Sequence, residues 1–435
     1  MITLSDVLLW ILLPKLGIRC TFYSVTYFCK VGAWTNMSRS NIFSGLPLES
    51  KKLLSLILHD QPLTKGALSE LSGLKLTSLS RMMQPLEELK LITGSEIGES
   101  TGGRKPVLYD IDSKKYYIIG IDISRTYTQV VLTNLKLQPV KRYRFEMNLE
   151  STPKLTLSII LSWIKEVQDR ITRQNGSIIG MGIGAVGPLD RNSGVVLNPE
   201  NFEAPGWENI HLKSIFEKRL EIPVVIDNGA NAAVLAETCY GIGKGIKNVI
   251  YINCGIGIRT GLISSGIFVR NINDSEDAFA HMIIDVNGKK CSCGNRGCIE
   301  TCSSIYSLTE KYNELNKLTA DQLPDKHSYI DICMAAENND SSARKVILEG
   351  AGVLGVGLAN LIKLLNPGIV ILSGPLIKHS RLFYEKCTET ALEKIRTHGQ
   401  GKLFFSNGGY FNENAISIGA AALVMENFLE NSKLV

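Results

Sequence analysis

The ten residues Cys291-Ser292-Cys293-Gly294-Asn295-Arg296-Gly297-Cys298-Ile299-Glu300 place three thiols within eight positions. Glycines stand between the thiols, and glycine permits the tight turns that bring three sulfurs to one centre. The chain shows neither the basic start nor the small-residue cleavage site of a signal peptide. Thiols at this density in such a chain indicate a zinc site rather than a set of disulfides.

A closed structural zinc site takes four ligands at the corners of a tetrahedron. We predict that Cys291, Cys293 and Cys298 supply three of them and that His281, ten positions upstream, supplies the fourth. Cys302 is the alternative fourth ligand. The alternative to a metal site is a set of buried, inert thiols.

The composition is that of an ordinary soluble protein with more than one buried core. The chain has 435 residues, of which 44% are hydrophobic and 20% charged, with a formal net charge of +5. So mild a positive excess is weak evidence for nucleic acid by itself. Ten cysteines in this pattern favour a reducing, cytoplasmic compartment. No apolar run reaches the roughly 20 residues of a membrane span, so we expect no membrane partner.

Residues 1–47 differ in pattern from the rest of the chain. Residues 2–13 are apolar but too few to span a membrane, and Pro14 interrupts them. We interpret 1–47 as an extension outside the domains, arising from an upstream start codon, with Met37 as the natural start. The alternative is an anchor that touches a membrane surface.

Residues 48–112 form a separate module in the sequence pattern. Apolar residues at helical spacing predict helices over 51–59, 65–71 and 77–89, with a tight turn at Gly73. In the second helix Leu68 and Leu71 should point inward. A strand beginning at residues 91–92, a turn over 102–106 and an alternating strand over 107–111 then predict a hairpin. The pattern is typical of a winged helix-turn-helix.

In the third predicted helix, four apolar residues should face inward and a polar, cationic start should face outward. The side chains that we expect at base edges or phosphates are Thr77, Ser78, Ser80 and Arg81 on the helix, with Arg104 and Lys105 on the wing. The predicted inward set is Leu79, Met82, Leu86 and Leu89. The alternative is a packed lobe without a DNA partner.

The remainder of the chain, residues 116–435, alternates apolar strands with helices. Buried strands are predicted over 118–123 and 178–186, with an amphipathic helix over 158–171 between them. A long apolar helix over 354–365 precedes another strand over 369–372. Such alternation indicates layered α/β structure, and the length permits two lobes with a cleft between them.

The cysteine stretch resembles the zinc signature of the ROK family, whose name covers repressors, open reading frames and kinases. The signature Cys-x-Cys-Gly-x-x-Gly-Cys-x-Glu is intact, although Ala280-His281 replaces the family's Gly-His pair. The resemblance extends over nearly all of 116–430 and, through the Gly-Gly-Arg-Lys-Pro wing at 102–106, to the N-terminal module. It implies a winged helix-turn-helix followed by a two-lobed, ribonuclease-H-like (actin/hexokinase-type) sugar-kinase fold. It is similar to regulators of the N-acetylglucosamine and xylose repressor type. The family usually caps its recognition helix with a serine where Lys75 stands here, so the resemblance implies that Thr77 caps the third helix.

The two phosphate turns of the family kinases are altered in this chain. Their first turn, Asp-x-Gly-Gly-Thr, is Asp122-Ile123-Ser124-Arg125-Thr126 here. Their second, Gly-Thr-Gly-Ile-Gly-Gly-Gly, is Gly255-Ile256-Gly257-Ile258-Arg259-Thr260-Gly261. Side chains at these glycine positions should fill the space that a nucleotide needs, although an arginine there could instead bind phosphate.

The general base of the kinases is also missing. The family's Asn-Asp-Ala-Asn run corresponds to Asn228-Gly229-Ala230-Asn231, so Gly229 occupies the position of the catalytic aspartate. Asp227 lies two residues earlier, and on an extended segment it would share that face but be displaced by a residue pair. Because a general base must reach the hydroxyl that it deprotonates, we predict no catalytic residue.

The sugar ligands of the family correspond to Asn201, Asn228, His281 and Glu300. We therefore expect a sugar or sugar-phosphate effector, double-stranded operator DNA and a symmetric homodimer or tetramer as partners. The favoured function is a DNA-binding transcriptional regulator, a repressor of sugar metabolism, whose zinc-containing sugar-kinase-like domain is catalytically silent. One alternative is an active ROK sugar kinase that phosphorylates a hexose or N-acetylhexosamine with ATP. The other is a regulator whose cleft responds to a protein partner.

Overall fold

The computed structural model describes residues 42–43, 45–60, 62–96, 106–269, 278–317, 328–395 and 403–429. Most of the predicted extension, including Met37, lies outside these residues. The wing turn before Pro106 also lies outside them, and with it Arg104 and Lys105.

The N-terminal module consists of three helices and a three-stranded sheet. The central strand, β3, pairs antiparallel with β1 and β2. Thr64 caps the second helix by accepting a hydrogen bond from the Ala67 amide at 3.2 Å, and Gly73 ends it with φ +70°. The predicted helices and strands are thus confirmed. Their bounds are α1 Leu48–Asp60, β1 Leu63–Thr64, α2 Lys65–Ser72, α3 Leu76–Glu88, β2 Ile92–Glu96 and β3 Val107–Ile111.

Leu71 does not point inward as predicted, since 54% of it is exposed. Leu74, just after the turn at Gly73, packs against the core instead. Tight turns redirect the chain within one or two residues, and helical spacing in the preceding helix does not carry through them.

The predicted face and cap of α3 also need correction. Leu79, Met83 and Leu86 are fully buried, at the i, i+4 and i+7 positions of one helix face. Met83 therefore takes the inward position that was predicted for Met82. Met82 and Leu89 are only partly buried against the core. The helix begins after Lys75 without a side-chain cap, so the predicted cap at Thr77 is wrong.

The body of the chain contains two five-stranded sheets with the same topology. In each, three strands form an antiparallel meander. A later strand pairs in parallel with the first strand of the meander, and a second later strand pairs in parallel with that one. The first sheet has the order β10-β7-β4-β5-β6 and the second β13-β12-β11-β14-β15. This repetition accounts for the predicted two-lobed α/β architecture. The strands are β4 Tyr116–Ile123, β5 Tyr127–Asn134, β6 Pro139–Glu146, β7 Ser177–Ala185, the small pair β8 Leu189–Asp190 and β9 Val195–Val196, β10 Val224–Asn228, β11 Val249–Cys254, β12 Ile258–Ser264, β13 Ile267–Val269, β14 Ile369–Ser373 and β15 Phe404–Asn407.

The last described helix, α13 (Ala415–Leu429), packs directly on the first sheet. Gly120 and Gly182 make this approach possible, because a Cβ atom at either position would lie within 1.8 Å of a helix carbonyl oxygen. The described helices of the body are α4 Pro153–Arg173, α5 Leu212–Leu220, α6 Gly229–Tyr240, α7 Glu300–Ser303, α8 Ile305–Leu315, α9 Ser328–Glu337, α10 Ser341–Leu365, α11 Pro375–His379, α12 Arg381–Ile395 and α13 Ala415–Leu429, with a 3₁₀ turn at Asn412–Asn414.

The N-terminal module shares one hydrophobic core with α13. Phe43 is 1% exposed and stacks on Phe428 with ring centroids 4.8 Å apart. His59, near the end of α1, lies 3.6 Å from the carboxylate of Glu426 and stacks on Tyr240. Phe43 belongs to this core although it precedes residue 48, where the sequence pattern predicts the start of the module.

Helix α10 is longer than predicted, since it begins at Ser341, where Asp340 caps it through the Ala343 amide at 2.8 Å. Among the described residues, this one helix is long and apolar enough to cross a membrane. However, 61% of the apolar 18-residue stretch of this helix is buried inside the fold, as expected for a core helix.

Candidate metal centre and ligand cavity

His281, Cys291, Cys293 and Cys298 form a cluster whose four candidate ligand atoms lie within 4.8 Å of one another. Sγ of Cys293 and Cys298 are 3.7 Å apart, and Nδ1 of His281 is 3.5 Å from Sγ of Cys291. A tetrahedral zinc with sulfur ligands at about 2.3 Å requires an S–S edge of about 3.8 Å. The donor set and spacing therefore fit zinc. Cys302, the alternative fourth ligand, is not part of the cluster.

Backbone hydrogen bonds hold the cysteine loop in this shape. Gly294 and Gly297 adopt positive φ angles of 92° and 66°. A Cβ atom at Gly297 would lie 1.6 Å from the carbonyl oxygen of Asp285, so only glycine fits there. The amide of Cys291 donates to the carbonyl oxygen of Asn295 at 2.8 Å and closes the turn that contains Cys293 and Gly294. Gly294 and Gly297 therefore permit the tight turns that the sequence predicts between the thiols.

Burial raises the pKa of the Cys298 thiol to about 12. A sulfur in such surroundings stays protonated unless a cation compensates for the cost of ionisation. A zinc ion supplies that charge and stabilises the thiolate. The cluster therefore suits a metal centre better than a reactive thiol.

A cavity of about 420 Å³ lies beside the cysteine loop. All four residues that the resemblance associates with sugar line it: Asn201, Asn228, His281 and Glu300. His281 joins the two sites, since Nδ1 faces the thiols and Nε2 lies 3.9 Å from Oε2 of Glu300. The structure brings the predicted ligand positions together.

Two arginines of the altered phosphate turns also line this cavity. Arg125 is 8% exposed, and its Nε donates to the carbonyl oxygen of Glu200 at 2.7 Å. Nη1 of Arg259 donates to Oε1 of Glu300 at 3.1 Å. The sequence predicts that these arginines exclude a nucleotide or bind phosphate, but it does not place them in the cavity of the predicted sugar ligands. The signal was present in the replacement of two glycines by arginine.

Burial, followed by the neighbouring Arg259, lowers the pKa of Arg125 to about 9, while Glu300 and Glu200 act in the opposite direction. The guanidinium is therefore charged at neutral pH. Its charge is held in a poorly hydrated place, where electrostatic interactions are stronger than in water.

The position of the kinase base does not lie on an extended segment. Asn228 ends β10, and its side chain caps α6 by accepting from the Ala230 amide at 2.9 Å. Gly229 is thus the first residue of a helix, and the expectation that it shares a strand face with Asp227 is wrong. Helical dihedrals direct consecutive side chains differently from strand dihedrals.

Asp227 is 2% exposed and engaged in local hydrogen bonds. Its Oδ1 accepts from the Asn228 amide at 2.7 Å and from Nδ2 of Asn231 at 2.9 Å. Its Oδ2 lies 3.9 Å from Nη1 of Arg191. Asp227 is not among the residues that line the ligand cavity.

A space of only about 60 Å³ remains where the two altered turns meet. Arg125 and Arg259 line it together with Gly229 and Ile416. A Cβ atom at Gly229 would lie 3.2 Å from two carbon atoms of the Ile416 side chain. Packing therefore occupies the neighbourhood of the missing aspartate.

A larger cavity of about 1050 Å³ lies where residues of both lobes meet the N-terminal module. Leu58 and His59 of α1 reach it, as do Tyr127 of β5 in the first five-stranded sheet and Ser373 of β14 in the second. The N-terminal module therefore contacts a space whose shape depends on both lobes.

A sequence model of the ROK family matches residues 118–427, most of the chain. The chain belongs to the ROK family. The resemblance that the cysteine stretch carries is confirmed.

Its relatives in the family include both repressors and kinases. The xylose repressor of Bacillus spizizenii is 30% identical over 396 residues, covering 89% of this chain and 97% of the repressor. The glucokinase of Thermotoga maritima is 27% identical over 319 residues, covering 72% of this chain and 98% of the kinase. A crystal structure of a ROK-family transcriptional regulator, homologous to the E. coli MLC protein, superposes with a TM-score of 0.72 at 22% identity, covering 89% of this chain and 97% of that one.

In this ROK chain, the outward face of α3 carries the residues predicted for DNA. Thr77, Ser80 and Arg81 are exposed, and Ser78 is half-buried. Nζ of Lys65 donates to Oγ of Ser80 at 3.3 Å, which places a second cation beside this face. Lys65 was not among the predicted DNA contacts.

Proposed function

We propose that this protein is a ROK-family transcriptional regulator, a repressor of sugar metabolism that binds operator DNA and a sugar-type effector and does not phosphorylate the sugar. The observation that carries this proposal is the N-terminal module, whose three helices precede the sugar-kinase-like lobes and share a core with α13. Residues 48–112 are the proposed winged helix-turn-helix, and residues 116–435 the ribonuclease-H-like effector domain.

The polar face of α3 supports DNA binding through this module. In a winged helix-turn-helix, the residues at the start of the recognition helix meet base edges in the major groove. Thr77, Ser78, Ser80 and Arg81 are the proposed contacts on the helix, and Arg104 and Lys105 on the wing. A symmetric homodimer or tetramer in the cytoplasm would present two such helices to an inverted repeat.

The shared core supports coupling between effector and DNA. A ligand that changes the relative position of the lobes changes the surroundings of α13, which packs on β4 and also contacts Phe43. The lobes and the DNA-binding module therefore have a direct physical connection. An effector regulates DNA binding to the extent that its affinity differs between the two conformations.

The residues at the altered kinase site support the proposal that the protein does not catalyse phosphoryl transfer. Gly229 has no side chain to accept a proton, Asp227 is engaged elsewhere, and Arg125 and Arg259 fill the phosphate turns. Phosphoryl transfer depends on positioning and charge stabilisation around the transferred phosphate. The zinc centre would then serve to hold His281 and Glu300 at the ligand cavity, as outer partners of metals commonly do.

Selection of bound sequences from a random duplex library tests the proposal, with and without candidate sugars. Enrichment of an inverted repeat, with affinity altered by a sugar, is expected. A protein that enriches no motif under either condition would contradict the proposal. ATP-dependent phosphorylation of a sugar would favour the kinase alternative.

A further inference from the structure

Lys65, the first residue of α2, is held between the other parts of the N-terminal module. Its Nζ donates to Oγ of Ser80 on α3 at 3.3 Å. The same Nζ lies over the ring of Tyr109, 5.4 Å from the ring centroid, on the strand β3 that follows the predicted wing turn. Lys65 is therefore a half-buried lysine whose position depends on α2, α3 and β3 together.

The charge of Lys65 is not balanced by a neighbouring acid. No carboxylate of a residue that the structure describes lies within 4.0 Å of its Nζ. The first turns of α2 and α3 also contain no acidic residue. An ammonium group offers three N–H donors, and among the described acceptors only Ser80 takes one of them. Two donors and a full positive charge thus remain for an anion at the protein surface.

The two contacts of Lys65 also restrain its side chain before any partner binds. A lysine stem commonly covers an aromatic ring while the charged head stays in water. Here the hydrogen bond to Ser80 instead directs the head toward the polar face of α3, on which Thr77 and Arg81 are exposed. A side chain that is already ordered loses less conformational entropy when it binds. Lys65 is thus preorganised beside the residues proposed to contact DNA.

We infer that Lys65 binds a backbone phosphate of the operator, next to the bases that α3 contacts. This assignment rests on the proposed function, because it adds a contact to the proposed DNA-binding face. In a helix-turn-helix, the first helix crosses the DNA backbone while the second lies in the major groove. Helices α2 and α3 are the proposed pair, and Nζ of Lys65 lies where α2 meets the polar face of α3. A phosphate contact at this point would fix the position of α3 on the duplex.

Fluorescence anisotropy with the purified, full-length protein tests this contact. K65Q and the unmodified protein are compared on the operator selected from the random library and on an unrelated duplex. We expect K65Q to bind both duplexes about ten-fold more weakly, the effect of losing one charge-assisted contact. The slope of log affinity against log salt should flatten by about one charge. The ratio of the two affinities should stay within about two-fold, since phosphate contacts carry no sequence information.

Three further variants isolate the role of the charge. K65R keeps the charge, so it should retain the salt slope and lose less than about three-fold in affinity. K65A should match K65Q and serves if K65Q does not fold. K52Q removes an exposed lysine of α1 in the same module and should change neither affinity nor slope. Thermal unfolding of each variant separates folding from binding, because a lysine that only covered Tyr109 would alter stability without altering the salt slope.

An unchanged salt slope in K65Q and K65A, or an equal loss in K52Q, would overturn the assignment of Lys65. A loss confined to the selected operator would overturn it too, because it would indicate contact with a base. If the unmodified protein enriches no motif, the proposed function fails and the phosphate contact fails with it. If the unmodified protein binds its operator and K65Q binds it equally well, only the phosphate contact of Lys65 fails.

Discussion

Nε2 of His281 lies 3.9 Å from Oε2 of Glu300, on the side of the imidazole ring opposite the nitrogen that faces the thiols. A metal bound to Nδ1 would fix the ring orientation, and with it the group that Nε2 presents to the cavity. The cysteine loop also supplies Glu300, the first residue of α7. Metal binding and ligand binding should therefore be linked in this protein.

The first prediction concerns the metal. Freshly prepared, unchelated protein should contain about one zinc per chain, because three thiols and one imidazole match a closed structural site. C293A should lose the metal and weaken sugar binding through disorder of the loop that leads to Glu300. Elemental analysis and titration with the effector are the measurements.

Cys302 provides the matched control. It lies two residues after Glu300 but outside the cluster, so C302A should keep both zinc and ligand affinity. Zinc lost in C302A and retained in C293A would make Cys302 a ligand. Unmodified protein without zinc would reduce the cluster to inert thiols.

Local patterns in the sequence were sufficient to predict part of the structure. The three thiols of the candidate metal centre lie within eight residues, and buried strands such as β4 are continuous apolar runs, so both can be inferred from neighbouring positions. Turns were harder. Gly73 redirects the chain so that Leu74 replaces Leu71 in the core, and helical spacing does not extend beyond such a turn.

The Arg125 contact could not be inferred because it joins distant segments. Its partner Glu200 is 75 residues away in sequence, and no local period relates the two. Likewise, the packing of Ile416 beside Gly229 depends on how α13 lies against α6 and the first sheet. Family resemblance identified the missing aspartate, whereas the structure revealed which side chains occupy its surroundings.

The second prediction concerns catalysis. No ATP-dependent phosphorylation should be detectable over common hexoses and N-acetylhexosamines, because the base is absent and Arg125 and Arg259 fill the phosphate turns. G229D alone should not create activity, since its Cβ would meet Ile416 at 3.2 Å and the arginines remain. A coupled ADP-release assay measures both proteins beside a sugar kinase as positive control. Turnover in the unmodified protein that D227N abolishes would instead make Asp227 the base.

The third prediction concerns the buried carboxylate of Asp122. Burial raises its pKa to about 7, and the hydroxyl of Tyr127, which donates to Oδ2 at 2.7 Å, opposes that shift. A folded-state pKa above the unfolded value means stability that is present at low pH and lost as pH rises through about 7. D122N cannot ionise. As the pH rises from about 5 to about 8, the difference in free energy of unfolding between D122N and the unmodified protein should shift by about 2–3 kcal/mol in favour of D122N.

Urea unfolding at both pH values measures this difference. Y127F serves as a companion variant, because removing the hydroxyl that stabilises the ionised Asp122 should raise its pKa further and extend the loss to higher pH. A difference between D122N and the unmodified protein that does not vary with pH would show that Asp122 has an ordinary pKa.

The last prediction concerns DNA. Arg81 lies on the exposed face of α3, and if it reads guanine, R81A should cost about 1–3 kcal/mol and relax specificity at one position. Arg104 is predicted to contact phosphate or the minor groove, so R104A should weaken binding to all sequences alike and flatten the salt slope by about one charge. R170A, on an exposed face of α4, should bind as the unmodified protein does. Deletion of 1–36 should change neither effect, because Phe43 and the rest of the described module core lie after it.

Fluorescence anisotropy on the selected operator, at several salt concentrations, separates the two roles. A uniform loss for R81A across all sequences would reassign Arg81 to the phosphates, and unchanged binding in both variants would place the DNA-binding face elsewhere.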